Sequence, residues 1–244
     1  KIIGLEGMGI LGWAEKWANL PLRYFMDTTI RVSFPLFSRL QQNLKKTQAA
    51  LEQSIYFISV LVFPSLTGAY LLMPFIIAVI PSYGKWEPGL TTFNLFLISA
   101  AIASISTFLS NFLTALGRIR QVLGLMVIWT ILTLTLYPLF AVQFSYEGVA
   151  IASILIGLTS FLTYILVRRI VPVNVIRQIA PALGASIIMF LGLTFLKNYV
   201  AATVSGIIVV IFSGSVLYSG SLYLIDGKNL ISQIRKFISY AKAR

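Results

Sequence analysis

Arg23, Asp27 and Arg31 recur at a spacing of four within an otherwise apolar stretch, which aligns all three along one face of a helix. Two guanidinium forks around one carboxylate make a partly neutralised cationic stripe, and the planar fork of Arg suits the oxygens of a phosphate. Charges in a membrane helix face protein or a watery cavity, because each one placed in lipid costs at least about 2.5 kcal/mol. The three are therefore candidate substrate-binding residues for a phosphate-bearing ligand. A second reading stays open: an intrahelical ladder of ion pairs that merely lets the Arg side chains be buried, with Arg31 reaching to the interface.

Other chemistry has little to work with. There is no Cys and no His, which removes disulfides, Cys/His metal sites, thiol nucleophiles and imidazole acid–base schemes. Of seven acidic residues only Asp27 lies deep in an apolar run, so a carboxylate pair has no second member. No Gly-rich stretch ends in Gly-Lys-Ser or Gly-Lys-Thr. No catalytic residue, metal ligand or cofactor is expected.

The elements that carry the stripe are membrane helices. Six long apolar runs, 55–80, 93–116, 122–142, 149–167, 179–196 and 201–225, are each able to span a hydrocarbon core about 30 Å thick. They are continuously apolar, whereas a barrel strand would alternate every second residue. A hydrophobic content of 58%, a charged content of 11% and a mean hydropathy of +0.89 fit the same class. The charged stretch 13–39 is read as a further span, with Trp13 and Trp17 at one interface and Pro35 to Arg39 at the other. The fold class is thus all-α: a polytopic bundle of about seven transmembrane helices over 1–225, followed by a tail, 226–244.

Basic residues mark every second break. Arg39, Lys45 and Lys46, then Arg118 and Arg120, then Arg168, Arg169 and Arg177, and the tail together hold thirteen of the 19 Lys and Arg. The positive-inside bias puts those breaks and the C-terminus in the cytoplasm, and 81–92, 143–148 and 197–200 outside. The net charge of +12 is therefore mostly topology and contact with anionic membrane lipid, with no nucleic-acid partner. An odd number of spans entering from outside implies at least one crossing upstream of residue 1. In the tail, Leu230, Ile234, Phe237, Ile238 and Ala241 fall on one side of a helix, which predicts an amphipathic segment on the cytoplasmic leaflet.

A second stripe, Ser99, Ala103, Thr107, Asn111 and Thr114 with Ser104, Ser106 and Ser110 beside it, could line a polar path or serve close helix packing. Packing is also the reading for Ser153 with Gly157 and for Ser213, Ser215, Ser219 and Gly220. Pro64, Pro74, Pro138 and Pro181 are either hinges or tolerated interruptions.

Four landmarks carry a family resemblance. Ala14-Glu15-Lys16-Trp17-Ala18-Asn19-Leu20-Pro21, preceded by Gly12-Trp13, is followed by Phe34-Pro35-Leu36-Phe37-Ser38-Arg39-Leu40-Gln41. Ser82-Tyr83-Gly84-Lys85-Trp86 comes next, then Ala115-Leu116-Gly117-Arg118. In order and spacing they resemble the second half of Wzx-type polysaccharide flippases, over residues 12 to about 120. The resemblance implies the multidrug/oligosaccharidyl-lipid/polysaccharide exporter superfamily, with two bundles around a central cavity. This chain would be most of the second bundle, and its partners would be the N-terminal bundle of the same protein and a lipid-linked oligosaccharide. The implied activity is transfer of polyprenyl-pyrophosphate-linked oligosaccharide across the bacterial inner membrane by alternating access, and not an enzymatic one. The competing readings are a cation-coupled multidrug antiporter, which would be expected to use acidic cavity residues, and a membrane-embedded polymerase or ligase, which would be expected to carry a long external loop.

Overall fold

In a computed structural model of the chain, residues 3–242 are described, with side chains described as far as residue 227. The described residues contain helices and connections and no strand. The helices are α1 (Gly4–Leu40), α2 (Leu44–Val79), α3 (Leu90–Ala115), α4 (Ile119–Leu158), α5 (Phe161–Arg168), α6 (Val175–Lys197) and α7 (Val204–Lys242), with a 3₁₀ stretch, Pro81–Gly89, between α2 and α3.

Local chemistry sets the ends. The Asn43 side chain accepts from the Lys46 N–H at 3.1 Å to start α2, and Asn174 does the same for Arg177 at 3.2 Å to start α6. At the end of α3, Gly117 takes φ +74°. Its N–H reaches the Thr114 carbonyl at 3.0 Å and the Arg118 N–H reaches Leu113 at 2.9 Å, a Schellman closure that glycine makes without steric cost. The Ala115-Leu116-Gly117-Arg118 turn is thereby explained.

α4 is a hairpin rather than a single rod. Phe144 (φ −126°, ψ 15°) and Ser145 (φ 54°, ψ −138°) leave the helical region and reverse the chain. The two arms run antiparallel: Trp129 Nε1 donates to Thr159 Oγ1 at 3.2 Å, and the Tyr137 and Ser153 hydroxyls share a 2.8 Å bond. The separate apolar runs 122–142 and 149–167 are these two arms, the second continued by α5.

α1 lies against α2, α3 and the α4 hairpin, and these elements with α5 share one core, in which Phe37 packs edge-on to Phe108 and Phe112. α6 and α7 pack on each other and on α2 through a second apolar cluster built from Leu71, Phe75, Met189, Leu193 and Leu222. Five stretches are long and apolar enough to cross a membrane: Leu44–Val79, Pro81–Ala115, Ile119–Arg168, Val175–Lys197 and Val204–Gly227. The third holds both arms of the hairpin. α1 is not among the five, because Glu15, Lys16, Arg23, Asp27 and Arg31 interrupt its hydropathy. α7 leaves helical geometry at Asp226 (φ −142°, ψ 27°) and resumes to Lys242. The amphipathic face expected of the tail concerns side chains outside the described residues.

α2 runs unbroken through Pro64 and Pro74. Proline has no N–H to give the carbonyl four residues earlier, which frees Val60 C=O. Tyr218 of α7 donates its hydroxyl to that oxygen at 2.8 Å. The imino acid thus opens a docking point for α7 rather than a break. Tyr218→Phe should lower the stability of the purified intact protein by about 1 kcal/mol, read by thermal unfolding in detergent, because the carbonyl is left unmet. In a Pro64→Ala background the helix itself reaches Val60, and the loss should shrink. An equal loss in both backgrounds would contradict this account.

Candidate functional site

The candidate site lies on α1, whose buried stripe Gly7, Ile10, Ala14, Ala18, Met26, Ser33 and Phe37 faces the core. Arg23, Asp27 and Arg31 lie on the opposite, exposed side, together with Tyr24 and Thr28. None of the three charged side chains makes an ion pair or hydrogen bond with another described residue, so the intrahelical ladder is not formed here. The hydroxyls around them turn inward: Thr28, Thr29 and Ser33 donate to the carbonyls of Tyr24, Phe25 and Thr29 at 3.1, 2.8 and 2.8 Å. The guanidinium donors of Arg23 and Arg31 therefore remain available to a ligand. Unpaired charge cannot rest against lipid cheaply, so this face suits water or another protein surface.

Both ends of α1 are tied to neighbouring elements by the sequence landmarks. At the end near residue 13, Trp13 stacks on Trp86 of the 3₁₀ stretch (5.5 Å, 3° between planes) and tilts against Phe93 of α3, with the Lys85 ammonium 5.0 Å from the Trp86 ring. Gly89 lies so close to Ile10 that a Cβ there would approach its Cγ2 to 2.8 Å. At the other end Ser38 Oγ donates to the Ala115 carbonyl at 3.1 Å, beside the Phe37, Phe108 and Phe112 cluster. The landmarks thus meet in pairs and hold α1 in place; they do not themselves form the charged surface.

A cleft of about 300 Å³ opens between α1, α3 and the α4 hairpin. The second polar stripe divides there. Ser99, Ala103, Ser106 and Thr107 line the cleft, while Ser104 is buried and bonded to the Ala101 carbonyl at 2.7 Å. Asn111 and Thr114 are taken up by backbone carbonyls of their own helix, at Thr107 and Ser110. Ser153 and Gly157 also line the cleft, and a Cβ at Gly157 would meet Ile102 Cγ2 at 3.4 Å, as close packing predicts. Sequence reasoning did not connect Glu15, Asn19, Trp129, Tyr137 and Ser160 with this space. One signal was available: Glu15 and Asn19 extend the spacing of four that leads to Arg23.

Residues 1–88 match the family of polysaccharide biosynthesis proteins, a segment that contains the first three landmarks. No curated protein matches the chain. Among solved structures, the fold is similar to that of the lipid II flippase MurJ in an inward closed conformation, with a TM-score of 0.76 at 17% identity. The likeness covers 92% of this chain and 48% of that one, so the chain spans about half the length of the flippase it resembles. The chain thus carries a polysaccharide-biosynthesis match over its first 88 residues, and its helical bundle, with five stretches able to cross a membrane, shares the flippase's fold across nearly its whole length.

Proposed function

We propose that this chain is the second bundle of a transporter that flips polyprenyl-pyrophosphate-linked oligosaccharide across the bacterial inner membrane for cell-surface polysaccharide synthesis. A partner bundle in the same protein supplies the other wall, α1 crosses the membrane as one of seven spans, and the C-terminus is cytoplasmic. The observation that carries the reading is the exposed face of α1, where Arg23 and Arg31 flank Asp27 and none of them has a partner among the described residues. A glycan headgroup cannot enter hydrocarbon. It needs a hydrated wall with phosphate-binding donors, while the prenyl tail stays in lipid beside the protein. Rocking of two bundles exposes such a wall to each side in turn.

A strain lacking the protein should accumulate lipid-linked oligosaccharide in the cytoplasmic leaflet of its inner membrane, measured by leaflet-selective labelling of the glycan, and the intact gene should reverse it. An unchanged leaflet distribution would overturn the proposal.

A further inference from the structure

We infer that the cleft between α1, α3 and the α4 hairpin is a subsite for one pyranose ring of the glycan, set beside the pyrophosphate site; the inference rests on the function proposed above. Its volume, about 300 Å³, lies at the small end of ligand sites and fits one ring rather than a whole oligosaccharide.

The lining selects chemistry. Glu15 is the cleft's one carboxylate, and no described residue pairs with it. Asn19 gives its amide N–H to the Glu15 backbone carbonyl at 3.0 Å, which leaves its side-chain oxygen as an acceptor. The hydroxyls of Ser99, Thr107 and Ser160 make no hydrogen bond within the described residues. Trp129 and Tyr137 are fixed by their bonds to Thr159 and Ser153, and so add apolar surface of settled orientation. Acceptors, free hydroxyls and fixed aromatic surface together suit a neutral polyol. An acyl chain would leave the Glu15 carboxylate unsolvated, and an anion would meet it as a like charge.

Register supports the same occupant. Asn19 stands one turn before Arg23, about 6 Å along the helix axis, and Glu15 about 12 Å. The first sugar of a glycosyl pyrophosphate is bonded directly to the phosphate. A ligand held at Arg23 by its phosphate would thus bring a proximal sugar level with Asn19 and Glu15. Charge is sorted along a single helix in the order in which the ligand carries it: neutral ring at the carboxylate, phosphate at the guanidinium.

The test uses the purified intact protein in lipid nanodiscs, titrated with undecaprenyl pyrophosphate and with undecaprenyl-pyrophosphoryl-N-acetylglucosamine. The wild type should bind the sugar-bearing lipid about tenfold more tightly, as one or two hydrogen bonds to a charged acceptor would give. Ser99→Leu, which fills the cleft, and Glu15→Ala, which adds no bulk, should each bring the ratio of the two affinities close to one. Arg23→Ala should weaken both lipids in proportion. Equal wild-type binding of the two lipids, or an undiminished ratio in Glu15→Ala, overturns the sugar subsite and leaves the flippase reading standing. Binding of neither lipid to the wild type overturns both.

Discussion

Under the function proposed above, Arg23→Ala in the intact protein should abolish complementation of a flippase-deficient strain while the protein stays in the membrane at its normal level. The expectation follows from what surrounds Arg23. Its side chain is exposed on α1 and bonded to nothing described, so removing it takes away no packing or ion pair on which folding depends. A charged hydrogen-bonding partner of a ligand phosphate is worth at least about 2 kcal/mol, roughly a 30-fold loss. Arg23→Lys should recover part of the activity, because it restores the charge without the two-pronged geometry. Immunoblotting of the membrane fraction separates the outcomes. Normal complementation would remove Arg23 from the site, and loss of the protein itself would return it to a structural role.

Gly148→Ala should have the largest effect on folding. Just beyond the reversal at Phe144 and Ser145, the second arm of α4 starts so close to the first that a Cβ on Gly148 would collide with the Phe140 carbonyl. A backbone atom cannot rotate aside as a side chain can, so the turn itself must open. We expect a cost of about 3 kcal/mol, the upper range for overpacking, and a severalfold fall in the amount of monodisperse protein recovered. Gly124→Ala on the same helix is the control. Nothing lies within 4 Å of its added Cβ, and alanine is the better helix former, so recovery should be equal or higher. Equal behaviour of the two variants would contradict the close approach seen at the hairpin.

Helices were legible in the sequence because an apolar run admits few other structures, and 122–142 and 149–167 were separable because Glu147 interrupts them. That only Phe144 and Ser145 leave the helical region was not legible, since neither is a residue that usually marks a left-handed turn. The alignment of Arg23, Asp27 and Arg31 could be read from spacing alone. That they find no partner among the described residues could not, because it depends on which side of α1 the other helices take. The cleft was half visible. Ser99 and Thr107 stood out by period, but Trp129 and Tyr137 come within reach only through the pairing of two arms whose register no local pattern reveals. The prolines at 64 and 74 looked like candidate hinges, and the answer at Pro64 lay 154 residues away, in the hydroxyl of Tyr218.

The stacked Trp13 and Trp86 at one end of α1 and the Ser38 bond to Ala115 at the other have a mechanical meaning. A rod fastened at both ends has no freedom of its own to swing or slide. Whatever moves the charged face must carry α3 and the 3₁₀ stretch with it, so under the function proposed above the cargo would be handed across by a body that turns as one piece and not by an arm that reaches. On that proposal the work of reorientation falls on the contact with the second bundle, where a change of a few kilocalories tips the balance between inward and outward states without any helix described here being remade.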